Sequence, residues 1–230
     1  IVRIFSDYGA DEVIFVDLNA TKNKQDPDFE LLENIASFSR MPICYGGGIK
    51  NIEQIEKLIN LGIEKVSICS SAFQEQNLIR DASNMFGSQS IVGCLDIKFS
   101  SESKKYRIYT NNGTNRVDLE LFDAIKILED KGVGELLINN IDLDGTYKGF
   151  DEDIIFKIVQ SSSVPVSVAG GAKSINNIKN LWIKTNVSGI AAGSLWSFIG
   201  KNDAVLPNYP DKDKKQSFFR VVKKDKNCNN

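Results

Sequence analysis

The stretch GVGELLINNIDLDGT, Gly132 to Thr146, repeats the earlier GADEVIFVDLNAT, Gly9 to Thr21, at an offset of 123 residues. Working outward, PICYGGGIKNIEQIEKL from Pro42 returns at the same offset as PVSVAGGAKSINNIKNL from Pro165. Self-similarity on this scale bears on the whole architecture, so it is weighed before any single motif. In each copy a short Val- and Ile-rich run is followed by a polar or glycine-rich turn and then by apolar residues at helical spacing, which is the signature of a β/α unit. Two copies of a four-unit block make an eight-stranded parallel barrel, the (β/α)8 or TIM-barrel class of α/β fold with a two-fold half-barrel repeat.

Seven strands are expected, at Glu12–Asp17, Pro42–Tyr45, Lys65–Cys69, Ser90–Ile97, Glu135–Ile141, Val164–Val168 and Gly189–Ala192. Helical spacing marks Phe29–Phe38, Ile52–Leu61, Leu78–Phe86, Leu119–Lys131, Asp151–Gln160 and Ile175–Lys184. The strand at Ser90–Ile97 has no counterpart in the first copy, because 123 residues earlier falls before Ile1. The expectation is therefore a barrel whose first strand lies outside the sequence, with IVRIFSDYGADE closing the first helix and opening the second strand. Residues 1–210 are expected to form the barrel and residues 211–230 a polar tail.

With 230 residues, 42% of them hydrophobic, the chain can bury one large core. The 28 basic and 30 acidic residues nearly cancel, so no overall field suits nucleic acid or an anionic membrane surface. No apolar run is long enough to span a bilayer and Ile1 opens no charged leader, so a cytoplasmic protein is expected. Cys44, Cys69, Cys94 and Cys228 form no CxxC pair, and the chain has no histidine. Both facts argue against a zinc site, and neither a metal nor a cofactor is expected. The first three cysteines sit in apolar runs and read as small core hydrophobes. Without histidine, proton transfer falls to carboxylates, lysines or tyrosines.

In such a barrel, chemistry gathers at the C-terminal ends of the strands. Gly47 and Gly48, and Gly170 and Gly171, each follow a strand and precede a helix, where free backbone N–H groups can hold a phosphate; one such loop alone reads equally as a turn. Ser70 in SICSSA, with Gly193 and Ser194 in IAAGSL, ends the next strand of each copy with small or hydroxyl residues. Each half thus offers one anion cup, which suits a small substrate phosphorylated at both ends. Asp96 in SIVGCLDIK ends a strand as a candidate general acid or base, with a capping or ion-paired aspartate as the alternative. Asp144 and Gly145 in NIDLDGT suit either substrate contact or an ordinary Asp-Gly turn. Glu12, Lys65 and Glu135 start the second, fourth and sixth strands of the eight-strand count. Spacing alone favours a salt-bridge cluster there over a polar gate.

The strings GADEVIFVDLNA, YGGGIK, GIEKVSICSSA, FGSQSIV, LDIK, GVGELLINNIDLDGTYKGFD and VAGGA resemble the cyclase subunit of imidazole-glycerol-phosphate synthase, from about Ile1 to Leu195. The resemblance implies an ammonia-dependent lyase of histidine biosynthesis, acting in a heterodimer on a doubly phosphorylated substrate with ammonia from a docked glutaminase. It implies that Asp96 is one of two catalytic aspartates, the other lying on the strand upstream of Ile1. Gly48, Ser70, Gly171, Gly193 and Ser194 fall on its phosphate sites, with Asp144 and Gly145 beside them. Glu12, Lys65 and Glu135 fall on its ammonia gate, which displaces the reading from spacing. Two positions depart from the pattern: Cys69 replaces asparagine and Asn139 a small hydroxyl residue. The segment GSLWSFIGKNDAVLPNYP is similar to paralogues found with surface-polysaccharide (lipopolysaccharide) genes, which pass ammonia to an amidotransferase that builds amidino sugars.

Overall fold

In the computed structural model, which describes residues 1–199, 204–211 and 213–215, every expected strand run carries a strand. In chain order the sheet is β1 (Val13–Val16), β2 (Ile43–Gly46), β3 (Lys65–Ile68), β4 (Ile91–Ser100), β5 (Lys105–Thr110), β6 (Asn115–Glu120), β7 (Glu135–Asn140), β8 (Val166–Ala169) and β9 (Gly189–Ile190), of which β5 and β6 are two further strands beyond those expected. The seven expected strands pair side by side in the order β1-β2-β3-β4-β7-β8-β9, and each pairing is parallel. Sequential parallel order with helical crossovers is the (β/α)8 pattern. Among the described strands β1 and β9 each have a neighbour on one side only, leaving the sheet open between them.

The sheet curls, as side-chain contacts show. Lys65 on β3 reaches both Glu12, beside β1, and Glu135 on β7, although β3 and β7 are not neighbours in the sheet. On the same inner face Ile14, Cys44, Val92, Cys94, Leu137 and Ala169 pack as one small cluster drawn from five strands. The larger core fills the outer layer, where Ile43, Val66, Ile68, Leu95, Ile97, Leu136 and Val168 meet helix residues such as Ile55, Leu58, Ile79, Leu128 and Ile158. The alternation of side chains along each strand separates these two layers.

All six expected helices are present, at Phe29–Phe38, Ile52–Asn60, Leu78–Phe86, Leu121–Asp130, Glu152–Ser161 and Ile175–Thr185. Four begin on a side chain that accepts a free first-turn N–H: Asp28 from Leu31, Asn51 from Gln54, Asp151 from Ile154 and Ser174 from Asn177. Each such cap is worth about 1 kcal/mol. The fourth helix starts two residues later than its apolar spacing suggests, because Glu120 is still paired with Arg107 in β6.

Two features depart from the strand-helix alternation. The strand through Asp96 runs on to Ser100 and turns into an antiparallel β4–β5–β6 arm. A second small pair joins β10 (Phe198–Ile199) to β11 (Ala204–Val205). Beyond it Tyr209 packs edge-on against Phe5 and Trp196, and its hydroxyl donates to Asp11 at 2.9 Å. The expected tail at 211–230, with Cys228, falls largely outside the described residues. Among the described residues no helix is long and apolar enough to cross a membrane.

Candidate active site

Because the seven strands are parallel, their C-terminal ends share one rim and their N-terminal ends the opposite floor. On that rim the residues expected for the second cup, Asp144, Gly145, Gly170, Gly171, Gly193 and Ser194, line one pocket. The glycines of the first half are held in the same way as those of the second. Gly48 and Gly171 occupy equivalent repeat positions and both have positive φ, +69° and +113°. A Cβ at Gly48 would stand 2.7 Å from the Gln25 carbonyl oxygen, and one at Gly171 2.5 Å from that of Gly149. In each half the loop after one strand lies against the glycine loop after the next, which no larger side chain permits. Gly47 and Gly170 precede them under similar crowding. Gly193 differs, since a Cβ there would meet nothing within 4 Å.

Asp96 lies on the inner face of β4, directly opposite Asn139 on β7. Asn139 Nδ2 donates to Asp96 Oδ1 at 2.9 Å, and Cys69 Sγ lies 3.9 Å from Oδ2. Burial pushes the Asp96 carboxyl above its usual range, against the opposing effect of the Asn139 bond, and the nearby negative charge of Asp144 adds to the rise. A carboxyl held up in this way can take and return a proton closer to neutral pH.

At the floor, Lys65 Nζ bridges Glu12 Oε2 at 2.8 Å and Glu135 Oε2 at 2.7 Å. The Ser167 hydroxyl hydrogen-bonds the other oxygen of Glu135. Burial alone would lower the Lys65 ammonium, but its hydrogen bonds to the two carboxylates outweigh that and hold it protonated. The three charged residues singled out by strand spacing therefore form one connected group.

Ser70 sits differently from its cup partners, its hydroxyl accepting the Asn111 N–H at 3.0 Å. Asn111 belongs to the tip of the β5–β6 hairpin, which the sequence reading missed, and Asn112 Nδ2 reaches the Leu18 carbonyl at 2.9 Å. The hairpin thus contacts the loops that follow β1 and β3. Its base is tied by Tyr106, whose hydroxyl donates to Asp151 at 2.6 Å, and by the Phe99 N–H, which donates to Asp142. The turn Asn111-Asn112-Gly113, with positive φ at all three residues, was the available signal. Cys44 is buried, as its apolar run suggests, but Cys69 and Cys94 are only partly so and line the inner face beside Asp96.

Comparison with known proteins matches residues 1–199 to the sequence model of the family described as histidine biosynthesis protein. A Pseudomonas aeruginosa protein, provisionally named imidazole glycerol phosphate synthase subunit hisF2, is 43% identical over 213 residues, 93% of this chain and 84% of its own. A Vibrio vulnificus protein, provisionally named subunit hisF3 of the same synthase, is 41% identical over 96% of this chain and 85% of its own. Subunit HisF of Leptospira biflexa is 35% identical over 82% of this chain and 74% of its own.

Proposed function

Since the chain belongs to the histidine biosynthesis protein family and is related over most of its length to imidazole glycerol phosphate synthase subunit HisF, we propose that it is the ammonia-using synthase subunit of a glutamine amidotransferase complex. One observation carries this reading: Asp96 on the inner face at the rim and the Lys65 bridge at the floor belong to the same curled sheet. Chemistry confined to the rim would leave the paired charge cluster at the other end a structural role but no part in the reaction. A passage for ammonia from a glutaminase docked beneath gives it one.

In this reading the cup formed by Gly170, Gly171, Gly193 and Ser194 holds one phosphate, with Asp144 and Gly145 at its edge. The cup formed by Gly47, Gly48 and Ser70 holds the other. Backbone N–H groups at strand-to-helix turns suit that task because they are preorganised and electropositive. Asp96, oriented by Asn139 and raised by burial, exchanges a proton with the substrate between the two anchors. Lys65, Glu12 and Glu135 form the gate through which ammonia enters.

The test is turnover by the full-length protein given an ammonium salt and the doubly phosphorylated substrate. Appearance of the imidazole product supports the reading, and no product at any ammonium concentration rejects it.

A second reading is favoured by Cys69 and Asn139, which flank Asp96 where the family pattern has asparagine and a small hydroxyl residue. Here the barrel serves as an ammonia conduit and scaffold for an amidotransferase that makes amidino sugars for surface polysaccharide, without ring closure. Glutaminase activity stimulated by the barrel, with no cyclisation from ammonium, would select this reading.

A further inference from the structure

Residues directly opposite on neighbouring parallel strands project to the same face. The β3–β4 ladder ends with Ile68 opposite Gly93, so one step further Cys69 and Cys94 stand side by side facing the barrel interior. Asp96 is two residues on along β4, on the same face. The two Sγ atoms and an Asp96 carboxylate oxygen all lie within 4.8 Å of one another, and each of the three residues is partly accessible. Both thiols are free, so no disulfide competes for them.

Against the expectation of no metal drawn from cysteine spacing, we propose that Cys69, Cys94 and Asp96, brought together by strand register, form a binding site for a thiophilic divalent cation of the zinc class, with a fourth coordination position open to the barrel mouth. Two thiolates select such an ion over magnesium or calcium, which demand oxygen ligands. Tetrahedral zinc, with bonds of about 2.3 Å to sulfur and about 2.1 Å to oxygen, sets its ligand atoms roughly 3.5–3.8 Å apart. The 3.9 Å between Cys69 Sγ and Asp96 Oδ2 is already close to that spacing.

Surrounding groups fit the same use. Asn139 occupies Asp96 Oδ1 and leaves Oδ2, the oxygen nearer Cys69, to face the ion. The Ser67 hydroxyl hydrogen-bonds the Cys94 sulfur, against the Cys69 thiol and burial, which hold Cys94 protonated until an ion displaces the proton. Such outer partners fix the orientation of metal ligands. On binding, each thiol gives its proton to buffer, and no oxidant or reductant takes part. The site shares Asp96 with the acid-base reading, and an ion on Oδ2 takes the place of a proton there; metal binding is read by spectroscopy and turnover by product, so failure of one is distinguishable from failure of the other.

The experiment is titration of the reduced, metal-free full-length protein with cobalt(II), followed by displacement with zinc(II). One equivalent of cobalt is expected to give near-ultraviolet thiolate charge-transfer absorption and visible bands of tetrahedral geometry, both abolished by zinc. Cys228→Ser should keep the spectrum. Cys69→Asn, which restores the residue usual in the resembled family and so should fold, and Cys94→Ala should each weaken zinc binding at least about 10-fold and diminish the charge-transfer band. Asp96→Asn should weaken binding while the two-thiolate absorption persists. Absence of a thiolate band at one equivalent of cobalt overturns the proposal, as does a band that survives both Cys69→Asn and Cys94→Ala.

Discussion

Asp96 and Asn139 face each other across the β4–β7 ladder, and the Asn139 amide donates to Asp96 Oδ1 over 2.9 Å. The bond fixes the direction of the carboxyl while burial raises its proton affinity. Orientation and proton affinity are thus set by different neighbours, and they can be perturbed separately.

Asp96→Asn should remove proton transfer yet leave the fold as stable or more so at neutral pH. A carboxyl whose folded pKa is raised binds its proton more tightly folded than unfolded. Its ionisation therefore lowers stability as pH rises from the ordinary value of 3.8 through the folded pKa. Thermal denaturation across a pH series should show the variant gaining on the parent through that window, with the gap closing below it. A variant that loses stability relative to the parent as pH rises would contradict the buried-carboxyl account.

Lys65→Met should leave Glu12 and Glu135 facing each other without a cation, with a loss of roughly 1–3 kcal/mol for this partly exposed group. Adding Glu12→Gln and Glu135→Gln should recover most of it in chemical denaturation. Ammonium-dependent chemistry should survive in the single variant while its coupling to glutamine hydrolysis changes; unchanged coupling would count against a gate.

Gly171→Ala and Gly193→Ala separate steric need from ligand contact. The first places a Cβ 2.5 Å from the Gly149 carbonyl oxygen at a positive φ and should destabilise the fold. The second meets open space and should leave the melting temperature within a degree or two while narrowing the cup and raising KM for a phosphorylated substrate about 10-fold or more, near 1.4 kcal/mol. An unchanged KM would remove Gly193 from the phosphate site.

Tyr106→Phe should loosen the arm formed by β5 and β6. The change deletes one hydrogen bond to Asp151, which also caps the helix Glu152–Ser161, and should lower stability by about 1 kcal/mol. Amide exchange should quicken at Asn111 and Asn112 if the arm is held at its base; exchange that stays at the parent rate would show that the tip contacts suffice.

Much of this is legible in the sequence. The 123-residue repeat carried the parallel order, since both copies share the same strand, turn and helix pattern. The positions of Glu12, Lys65 and Glu135 at strand starts anticipated the floor, because strand starts in a parallel barrel must share one end. The arm at β5–β6 was missed because strand-helix alternation leads straight from Ile97 to Leu119 as loop. The alternating KYRIYT and RVDLE around Asn111-Asn112-Gly113 were the overlooked hairpin signs. The grouping of Cys69, Cys94 and Asp96 lay beyond sequence spacing. The two cysteines stand 25 positions apart, and only the β3–β4 register makes them neighbours.

The most direct measurement is ammonium-supported turnover of the doubly phosphorylated substrate by the full-length protein and its Asp96→Asn variant, side by side. The account predicts a cyclised product from the parent and a rate at least about 100-fold lower from the variant. Equal rates would remove Asp96 from the chemistry, and a parent that forms no product would leave the barrel as a conduit.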